Sequence, residues 1–374
     1  ASKQPRQTLT KLMTAVLFIS VSSVHAQDSS VKISSASFGG ITARALGPAV
    51  MSGRIAAIDA VADDPNIIYI GAASGGVWQS KDGGITFRPI FDEHPQSIGA
   101  IRVDQSNPQR VWVGTGESWV RNSVSVGDGV YRSDDGGETW KNLGLQETEH
   151  IAAIRLSATD SQTAWVCASG KLWSDSSERG VFKTSDGGNN WEKVLYIDEQ
   201  TGCADIDVDP NNPNILFASM WQHRRSPDFF ESGGPGSGLY RSVDGGSTWQ
   251  KLSQGLPTGE LGRIAVAIAP SRPGTVYANV ESEKTALFRS DDLGSSWREV
   301  NSSLLIQMRP FYFSELLVDP QDHEHVFKPS YSLAQSTDGG TSFSSLFAGF
   351  GGSIHPDHHA LWINPNNPKQ MLLG

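Results

Sequence analysis

The stretch Ser133-Asp134-Asp135-Gly136-Gly137-Glu138-Thr139-Trp140 carries the pattern that decides the fold of this 374-residue chain. In general form the pattern is Ser or Thr, any residue, Asp, any residue, Gly, two further residues, and then Trp or Phe. Consecutive copies begin 46 to 58 residues apart, and repetition at such a period indicates an architecture of stacked structural units. The pattern occurs six times, beginning at Ser80, Ser133, Thr184, Ser242, Ser290 and Ser336.

Each copy of the pattern lies in a similar series of short apolar segments. A first segment, such as Ile98–Val103 or Ile264–Ile268, is followed by a turn rich in Asp, Asn and Pro and then by a second segment. A third segment runs into the pattern, as at Gly76–Ser80, and a fourth leaves it. Short segments separated by such turns predict an antiparallel meander. Four strands in each unit of about 50 residues predict an all-β chain, a β-propeller of four-stranded antiparallel blades.

The pattern itself has the chemistry of a tight turn between the third and fourth strands of a blade. Its Asp and its Ser or Thr can accept backbone N–H groups of the loop that no ladder reaches. The Gly admits a positive φ, and we expect the aromatic residue to pack inward against the neighbouring strand or blade. A structural role therefore falls to six aspartates: Asp82, Asp135, Asp186, Asp244, Asp292 and Asp338.

This pattern resembles the Asp-box, or BNR, repeat, and the resemblance covers roughly residues 40–374. Sialidases, xyloglucan-degrading glycoside hydrolases and the sortilin ectodomain are similar in this feature. The succession of boxes looks most like the sortilin and xyloglucanase branch, which includes bacterial proteins described as glycosyl hydrolases with BNR repeats. The resemblance implies a type of blade and not a reaction, because one fold hosts many functions. It also implies that ligands bind the face of the propeller opposite the boxes.

Composition and charge exclude several classes of protein. Charged residues make up 19% of the chain and there are 39 Gly, which argues against a helical bundle and against a charged disordered chain. The formal net charge is −10 and there is no run of Lys and Arg. Nucleic acid is therefore excluded as a partner, because binding to a phosphate backbone needs clustered basic residues.

The first 26 residues have the layout of a secretory signal peptide. Lys3, Arg6 and Lys11 precede an apolar run over residues 12–24, and small residues flank the expected cleavage point after Ala26. This run is too short to cross a bilayer as a stable helix, and no other segment is more apolar, so the sequence predicts no membrane span. We therefore expect the protein to be secreted, periplasmic or on the cell surface.

The repeat register divides the remaining chain. Residues 27–45 form an N-terminal lead-in, and residues 46–374 are expected to form six full blades and the start of a seventh. The seventh unit begins at about residue 355 and contains two predicted strands without a box. An incomplete blade leaves an open sheet edge, so we expect the natural protein to continue as part of a longer chain. Alternatively, residues 31–41 could return as an outer strand and partly close the ring.

The two cysteines are too few for a disulfide-based scaffold and have no metal-ligand spacing. Cys167 and Cys203 each lie in an apolar, strand-like segment. Export permits a bond between them, but the pattern favours two buried thiols.

Residues on loops of the expected ligand-binding face are candidates for recognition. The predicted loops at residues 116–128 and 220–236 are long, and long loops on a rigid scaffold are where binding residues concentrate. Guanidinium groups suit carboxylate or sulfate, and Trp can stack on sugar rings. Alternatively, the arginines pair with blade acids and the tryptophans are ordinary packing. The candidates are Arg54, Trp119, Arg121, His150, Trp221, Arg224, Arg263 and Arg309.

Catalytic candidates lie on the same loops. A lyase would use His or Tyr as base, with Arg neutralising a uronate carboxylate, whereas glycoside hydrolysis normally needs two carboxylates across a cleft. In the xyloglucan hydrolases that the chain resembles, a catalytic Asp precedes Gly-Gly between the second and third strands. The corresponding stretch here, Ala72-Ala73-Ser74-Gly75-Gly76, has no acid. The catalytic candidates are His223, His358, Tyr312 and Glu117.

A divalent metal is the one cofactor that the sequence pattern allows. Imidazole and carboxylate groups suit Zn²⁺ or a similar ion, and they cluster at His355, Asp357 and His359. The adjacent His358 and His359 would point to opposite faces of an extended segment, so only one of them could join His355.

Two functions remain open on this reasoning. One is an exported propeller that acts on or binds a polysaccharide, including an anionic one, as a hydrolase, a lyase or a binding protein. The other is a non-catalytic, sortilin-like module of a larger surface or secreted protein that binds a peptide or protein. The sequence leaves open whether the chain is an enzyme.

Overall fold

The computed structural model of the chain describes residues 54–346 and 354–374. The chain divides into the compact units Ala1–Ala49 and Val50–Gly374, and all described residues belong to the second unit. The predicted signal peptide at residues 1–26 and lead-in at residues 27–45 lie outside the described residues. No helix in the described part of the chain is long and apolar enough to cross a membrane.

Six four-stranded antiparallel blades follow one another along the chain, each with its strands side by side in sequence order. Blade 1 consists of β1 Ile55–Ala60, β2 Ile68–Ala72, β3 Gly76–Ser80 and β4 Arg88–Pro89. Blade 2 consists of β5 Ile98–Val103, β6 Val111–Thr115, β7 Val130–Ser133 and β8 Lys141–Asn142. Blade 3 consists of β9 Ile151–Leu156, β10 Ala164–Ala168, β11 Gly180–Thr184 and β12 Glu192–Leu195.

The second half of the chain continues this pattern with one extra strand. Blade 4 consists of β13 Thr201–Val208, β14 Leu216–Arg225, β16 Gly238–Ser242 and β17 Gln250–Lys251, and β15 Phe230–Ser232 pairs with the end of β14. Blade 5 consists of β18 Ile264–Ile268, β19 Val276–Val280, β20 Ala286–Ser290 and β21 Arg298–Asn301. Blade 6 consists of β22 Leu317–Val318, β23 Val326–Lys328, β24 Ala334–Ser336 and β25 Ser344–Ser345. Helical structure among the described residues amounts to α1 Leu304–Gln307 and the 3₁₀ turn Gln146–Thr148.

A seventh sheet of two strands, β26 Leu361–Ile363 and β27 Met371–Leu373, follows blade 6. The prediction of an all-β propeller with six full blades and the start of a seventh is therefore confirmed. The β26 strand packs against β1, and Trp362 lies in one apolar cluster with Ala60 and Ile68 of blade 1. This two-stranded sheet thus occupies the space between blades 6 and 1.

The core lies between neighbouring blades, because each strand alternates side chains toward the two faces of its sheet. Val77 of blade 1 packs with Val103, Val111 and Tyr131 of blade 2 in one cluster, and the same arrangement recurs around the ring. The first strands of successive blades contact each other and surround the central axis.

The prediction of a loop over residues 220–236 is wrong in part. β14 continues to Arg225 and forms a hairpin with β15, in which Arg224 lies opposite Glu231. The extension is held by neighbouring loops, since the Arg225 amide donates to Leu172 O of blade 3 at 3.1 Å. Such tertiary support cannot be inferred from local composition.

The two cysteines form a disulfide between Cys167 on β10 and Cys203 on β13. The expectation of two thiols is wrong, although both residues are fully buried as predicted. The reason is tertiary: β10 and β13 belong to different blades, and the radial packing of those blades brings the two Cα atoms within 5.0 Å.

Candidate functional site

The boxes and the candidate ligand-binding residues lie at opposite ends of the strands. Every box connects a third to a fourth strand, as Asp82 does between β3 and β4. The opposite end is formed by the connections from second to third strands, at residues 73–75, 116–129, 169–179 and 226–237 in blades 1 to 4, and by the entries to first strands. We call this end the upper face.

A buried ion pair lies on the upper face near the axis. The Arg54 Nε donates to Glu117 Oε1 at 2.6 Å, and a second guanidinium nitrogen contacts the other carboxylate oxygen. Glu117 is 2% exposed. Burial raises the pKa of Glu117, and the charges of Arg54, Arg121 and Arg263 oppose that rise. The bidentate geometry holds the carboxylate in place.

Arg263 is enclosed by two tryptophans. Its guanidinium carbon lies 4.5 Å from the ring centroid of Trp119 and 4.9 Å from that of Trp221. Its Nη1 donates to the carbonyl oxygens of Ser118 at 3.0 Å and Phe311 at 3.1 Å. Burial lowers the pKa of Arg263 to about 10. The three predicted ligand-binding residues are thus brought together, but their main contacts are with one another.

His359 lies in an aromatic cage beside this arginine. Its ring centroid is 4.5 Å from that of Tyr312, 5.2 Å from Trp119 and 5.3 Å from Phe313. Neither ring nitrogen has a hydrogen-bond partner among the described residues. Burial, followed by the charges of Arg54 and other cations, lowers the pKa of His359 to about 3. The ring is therefore neutral at physiological pH.

A second buried group joins His150 and His223 to Arg179, a residue that the sequence reasoning missed. Arg179 is fully buried and donates to Gln200 O at 2.9 Å and to Lys171 O, and its Nη1 lies 3.4 Å from His223 Nδ1. The His223 ring stacks on Trp221 at 4.1 Å. Burial and the Arg179 charge lower the pKa values of both histidines, that of His150 to about 4. Arg179 precedes Gly180 at the start of β11, and that position alone carries no signal of burial.

The remaining predicted ligand-binding residues are more exposed. Arg224 pairs with Asp175 of the blade 3 loop. Arg121 is half-buried beside the ion pair of Arg54. Arg309 is exposed, and its guanidinium carbon lies 4.6 Å from the ring centroid of Tyr312. These three residues leave cationic groups at the surface of the upper face.

The four catalytic candidates are all buried. Glu117 is 2% exposed, His223 3%, Tyr312 5% and His358 6%. Glu117 is also engaged by Arg54, and His223 is covered by the Trp221 ring. In this arrangement little of the four side chains is exposed to a polymeric substrate.

The predicted metal ligands do not converge. His355 and Asp357 are exposed, whereas His359 is buried in its aromatic cage. Within residues 54–346 and 354–374, no group of three or more His, Cys, Asp or Glu residues is placed to hold a metal ion.

Charged residues along the axis are the largest group that the sequence reasoning missed. A central cavity of about 520 Å³ is lined by Asp59, Arg102, Arg155 and other residues of the first strands. Asp59 Oδ2 accepts the Val103 amide of the next blade at 2.8 Å, so these side chains also tie blades together. The sequence does contain a signal for these axial charges. A charged residue interrupts the otherwise apolar first strands at equivalent positions in blades 1 to 3. Within the cavity, burial and the nearby Asp205 raise the pKa of Glu315 to about 8.

Comparison with known proteins supports the interpretation of the repeat. The family model described as Sortilin-Vps10 (sortilin, neurotensin receptor 3) matches residues 75–228. A xyloglucanase of Paenibacillus sp is 26% identical over 217 residues, and one of Hypocrea jecorina is 23% identical over 307 residues. These alignments cover 50% and 74% of this chain but 20% and 33% of the relatives. The chain therefore spans a fifth to a third of the length of these two enzymes.

Solved structures show the same fold at low sequence identity. An ancestral GH74 enzyme superposes with a TM-score of 0.63 at 16% identity, over 84% of this chain and 42% of that chain. The structure described as YCF48 bound to D1 peptide superposes with a TM-score of 0.53 at 15% identity, over 89% of this chain and 95% of that chain. At such identities the likeness concerns the fold alone. The six boxes and their blades make the chain a β-propeller of the Asp-box type, and these matches show that it is similar to sortilin and to xyloglucanases.

Proposed function

We propose that this propeller binds a polysaccharide on its upper face and does not itself hydrolyse it. The observation that carries the proposal is a contrast in exposure. Trp173 and Phe229, on the loops of blades 3 and 4, are 42% and 47% exposed, whereas the four catalytic candidates are buried. Exposed aromatic rings offer flat apolar surfaces for sugar rings, and aromatic side chains are enriched where proteins bind ligands.

The two exposed rings belong to segments that are bonded to each other. The Arg225 amide donates to Leu172 O at 3.1 Å, directly before Trp173, and the Ser226 amide donates to Phe229 O at 2.9 Å. Arg224 is also paired with Asp175 of the same blade 3 loop. A surface whose loops are fixed in this way is preorganised, which reduces the entropic cost of binding.

The xyloglucanase relatives support a polysaccharide as the ligand class, since one of them aligns with 74% of this chain. The absence of an acid in Ala72–Gly76 and the engagement of Glu117 by Arg54 support binding over hydrolysis. The predicted export of the chain from residues 1–26 is part of the same proposal, because polysaccharides of this kind are extracellular.

Peptide binding is the second candidate. It is favoured by the sortilin family match over residues 75–228 and by the fold shared with YCF48 bound to D1 peptide. Exposed cations such as Arg309 would suit an acidic peptide. The two candidate functions predict that the purified protein binds different molecules, a polysaccharide in the first case and a peptide in the second.

The test is affinity electrophoresis of the purified chain in gels that contain xyloglucan, β-glucan or polygalacturonate, with reducing ends assayed in parallel. We expect retardation without release of reducing ends. The double variant Trp173→Ala/Phe229→Ala should lose about thirtyfold in affinity, since each of the two stacked rings contributes on the order of 1 kcal/mol. Ile85→Ala is the control, because Ile85 is 84% exposed in a box loop on the opposite face.

Three results would contradict the proposal. Release of reducing ends would show catalysis, and migration unchanged by every polymer would remove the polysaccharide. Equal loss of affinity in the Ile85 variant and in the double variant would place binding elsewhere. If the protein binds an acidic peptide and none of the polysaccharides, the result would favour peptide binding, the second candidate function.

A further inference from the structure

A small polar cavity lies on the upper face between blades 3 and 4. Its volume is about 290 Å³, at the lower end of the roughly 300–1,000 Å³ usual for small-molecule sites. The cavity therefore admits about one sugar ring and not a length of polymer. It is lined by Asp175, Gln200, Gln222, His223, Arg224, Glu231 and Gly233.

One wall of the cavity is a fixed pair of amides. Gln222 Nε2 donates to Gln200 Oε1 at 3.2 Å, and Gln222 Oε1 accepts the Gly236 amide at 3.0 Å. The Gln222 amide has a second N–H, and Gln200 is exposed with its own NH₂ group. This wall thus presents oriented hydrogen-bond donors to whatever enters the cavity.

Another part of the lining is an arginine with two carboxylates as neighbours. Arg224 is paired with Asp175 and lies opposite Glu231 in the β14–β15 hairpin. Its Nε is buried and has no hydrogen-bond partner among the described residues. Glu231 is exposed at the rim. A guanidinium beside carboxylates can satisfy both the donors and the acceptors of neighbouring hydroxyl groups.

His223 also belongs to the lining, although it is only 3% exposed. Its Nδ1 lies 3.2 Å from Trp221 O and 3.4 Å from Arg179 Nη1, so both contacts of this ring nitrogen are with the protein. Burial and the Arg179 charge keep the pKa of His223 well below its ordinary value, so the ring stays neutral.

Two exposed aromatic residues flank the cavity along the chain. Trp173 precedes Asp175 by two residues, and Phe229 precedes Glu231 by two residues. Each of the two loops that carry the exposed rings therefore also supplies a carboxylate to the lining of the cavity. Aromatic rings beside a group of converging donors and acceptors are the combination that a sugar ring requires, with its apolar faces and its hydroxyl edge.

We infer that this cavity is a subsite for one neutral hexose unit of the polysaccharide, bound through adjacent hydroxyl groups by Arg224, Glu231 and Gln222. The lining contains two carboxylates, one guanidinium and a neutral imidazole, and the Arg179 guanidinium lies 3.4 Å from that imidazole, so the charges balance and a uronate carboxylate would meet no net attraction. The inference rests on the proposed function, and it selects a neutral polysaccharide where the sequence analysis also included an anionic one.

Isothermal titration with cello-oligosaccharides, xylogluco-oligosaccharides and oligogalacturonate tests it on the whole purified chain. We expect the neutral oligosaccharides to bind and oligogalacturonate not to bind. Gln222→Ala and Glu231→Gln should each weaken binding about tenfold, because the first removes a hydrogen bond to the ligand and the second replaces a charged acceptor by a weaker, neutral one. The matched control is Glu192→Gln, which makes the same charge change at an exposed position of β12.

The outcomes separate this inference from the proposal on which it rests. If neutral oligosaccharides bind and both cavity variants bind as the wild type does, the polysaccharide site stands and the subsite is overturned. If oligogalacturonate binds more tightly than the neutral probes, the neutral assignment is overturned. If no oligosaccharide or polymer binds the wild type, both fail together. An unchanged thermal transition in Gln222→Ala and Glu231→Gln excludes misfolding as the cause of weakened binding.

Discussion

Asp135 shows what a box aspartate does. Its Oδ1 accepts the Ser133 hydroxyl at 2.7 Å and the Thr139 amide at 2.9 Å, and its Oδ2 accepts the Thr139 hydroxyl at 2.6 Å. All of these bonds favour the charged form, which lowers the pKa of Asp135 to about 2. The other boxes repeat the set, with Thr, Asn or Ser four residues after the Asp. That fourth-position hydroxyl or amide is a regularity that the predicted pattern left as any residue.

We predict that Asp135→Asn removes part of the acid sensitivity of the fold. The folded pKa of about 2 lies below the unfolded value near 3.9, so the carboxylate adds stability above about pH 4 that is lost as the pH falls toward 2. The variant should be less stable than the wild type at pH 7, by less than about 1 kcal/mol because the group faces solvent. The deficit should shrink toward pH 2, measured by denaturant unfolding.

Asp228→Asn is the control for that experiment, because Asp228 is an exposed residue of the β14–β15 connection outside any box. A deficit of Asp135→Asn that stays constant from pH 7 to pH 2 would contradict a role for the charged form. In that case the box would depend on the shape of the side chain and not on its charge.

The sequence predicted on which face of the propeller single residues lie, but it did not predict their burial or their contacts. Strand order alone places Trp119, Trp221 and Arg263 on the upper face, because equivalent loops of all blades open there. Their burial depends on how loops of three different blades fill the space above the axis, as when Arg263 lies between Trp119 of blade 2 and Trp221 of blade 4. Such contacts leave no pattern in the local sequence. The sequence therefore could not distinguish an arginine that packs inside the protein from one that binds a ligand.

At the level of strands, β10 and β13 are joined by the Cys167–Cys203 disulfide across the boundary between blades 3 and 4. The two residues are 36 positions apart in the chain, and both are fully buried in the cluster that those blades share. The bond therefore closes a loop that contains the whole outer half of blade 3. A cross-link of this kind stabilises the fold mainly by restricting the unfolded chain.

We predict that the double variant Cys167→Ala/Cys203→Ala lowers the free energy of unfolding by about 3–4 kcal/mol, the value expected for a loop of this length. The measurement is urea unfolding followed by tryptophan fluorescence. Reductant should shift the unfolding midpoint of the wild type toward that of the variant and leave the variant unchanged. A wild-type midpoint that is insensitive to reductant would show that the bond does not limit the unfolded chain.

The bounds of the strands were the most predictable feature, because apolar alternation and turn residues are both visible in the local sequence. β3, β5 and β18 begin and end where the sequence predicts them. β14 differs most from its prediction: it continues from Leu216 to Arg225 because Leu172 and Asp175 of the blade 3 loop bind its end. The cavity that we assign to a hexose lies on this extension, so its geometry could not be read from composition.

For the whole molecule, the described residues place the two-stranded seventh sheet between blades 6 and 1. Leu361 and Ile363 pack with Phe327 and Leu333 of blade 6, and Trp362 packs on blade 1. Asn366 Nδ2 also donates to Asp63 Oδ1 of blade 1 at 2.9 Å. The period of the repeat predicted this seventh unit. It did not predict the contact between the last strands and the first blade, because that contact depends on how the blades are arranged around the axis.

We predict that Trp362→Ala lowers the free energy of unfolding by about 3–5 kcal/mol, the usual cost of removing a large buried side chain. Trp362 is 7% exposed, and its loss would open a cavity where the last sheet meets Ala60 and Ile68. Trp173→Ala is the matched control, since Trp173 is 42% exposed and its removal should change stability by about 0.5 kcal/mol or less.

Urea unfolding of the three proteins decides whether the seventh sheet closes the ring energetically. If the contact between β26 and blade 1 holds the first and last units together, Trp362→Ala moves the single transition of the whole propeller to lower urea. If the sheet is only an appendage, Trp362→Ala costs no more than Trp173→Ala, because blades 1 to 6 do not then depend on it. The second outcome would mean that neighbouring blades stabilise one another along the chain and not around a closed ring.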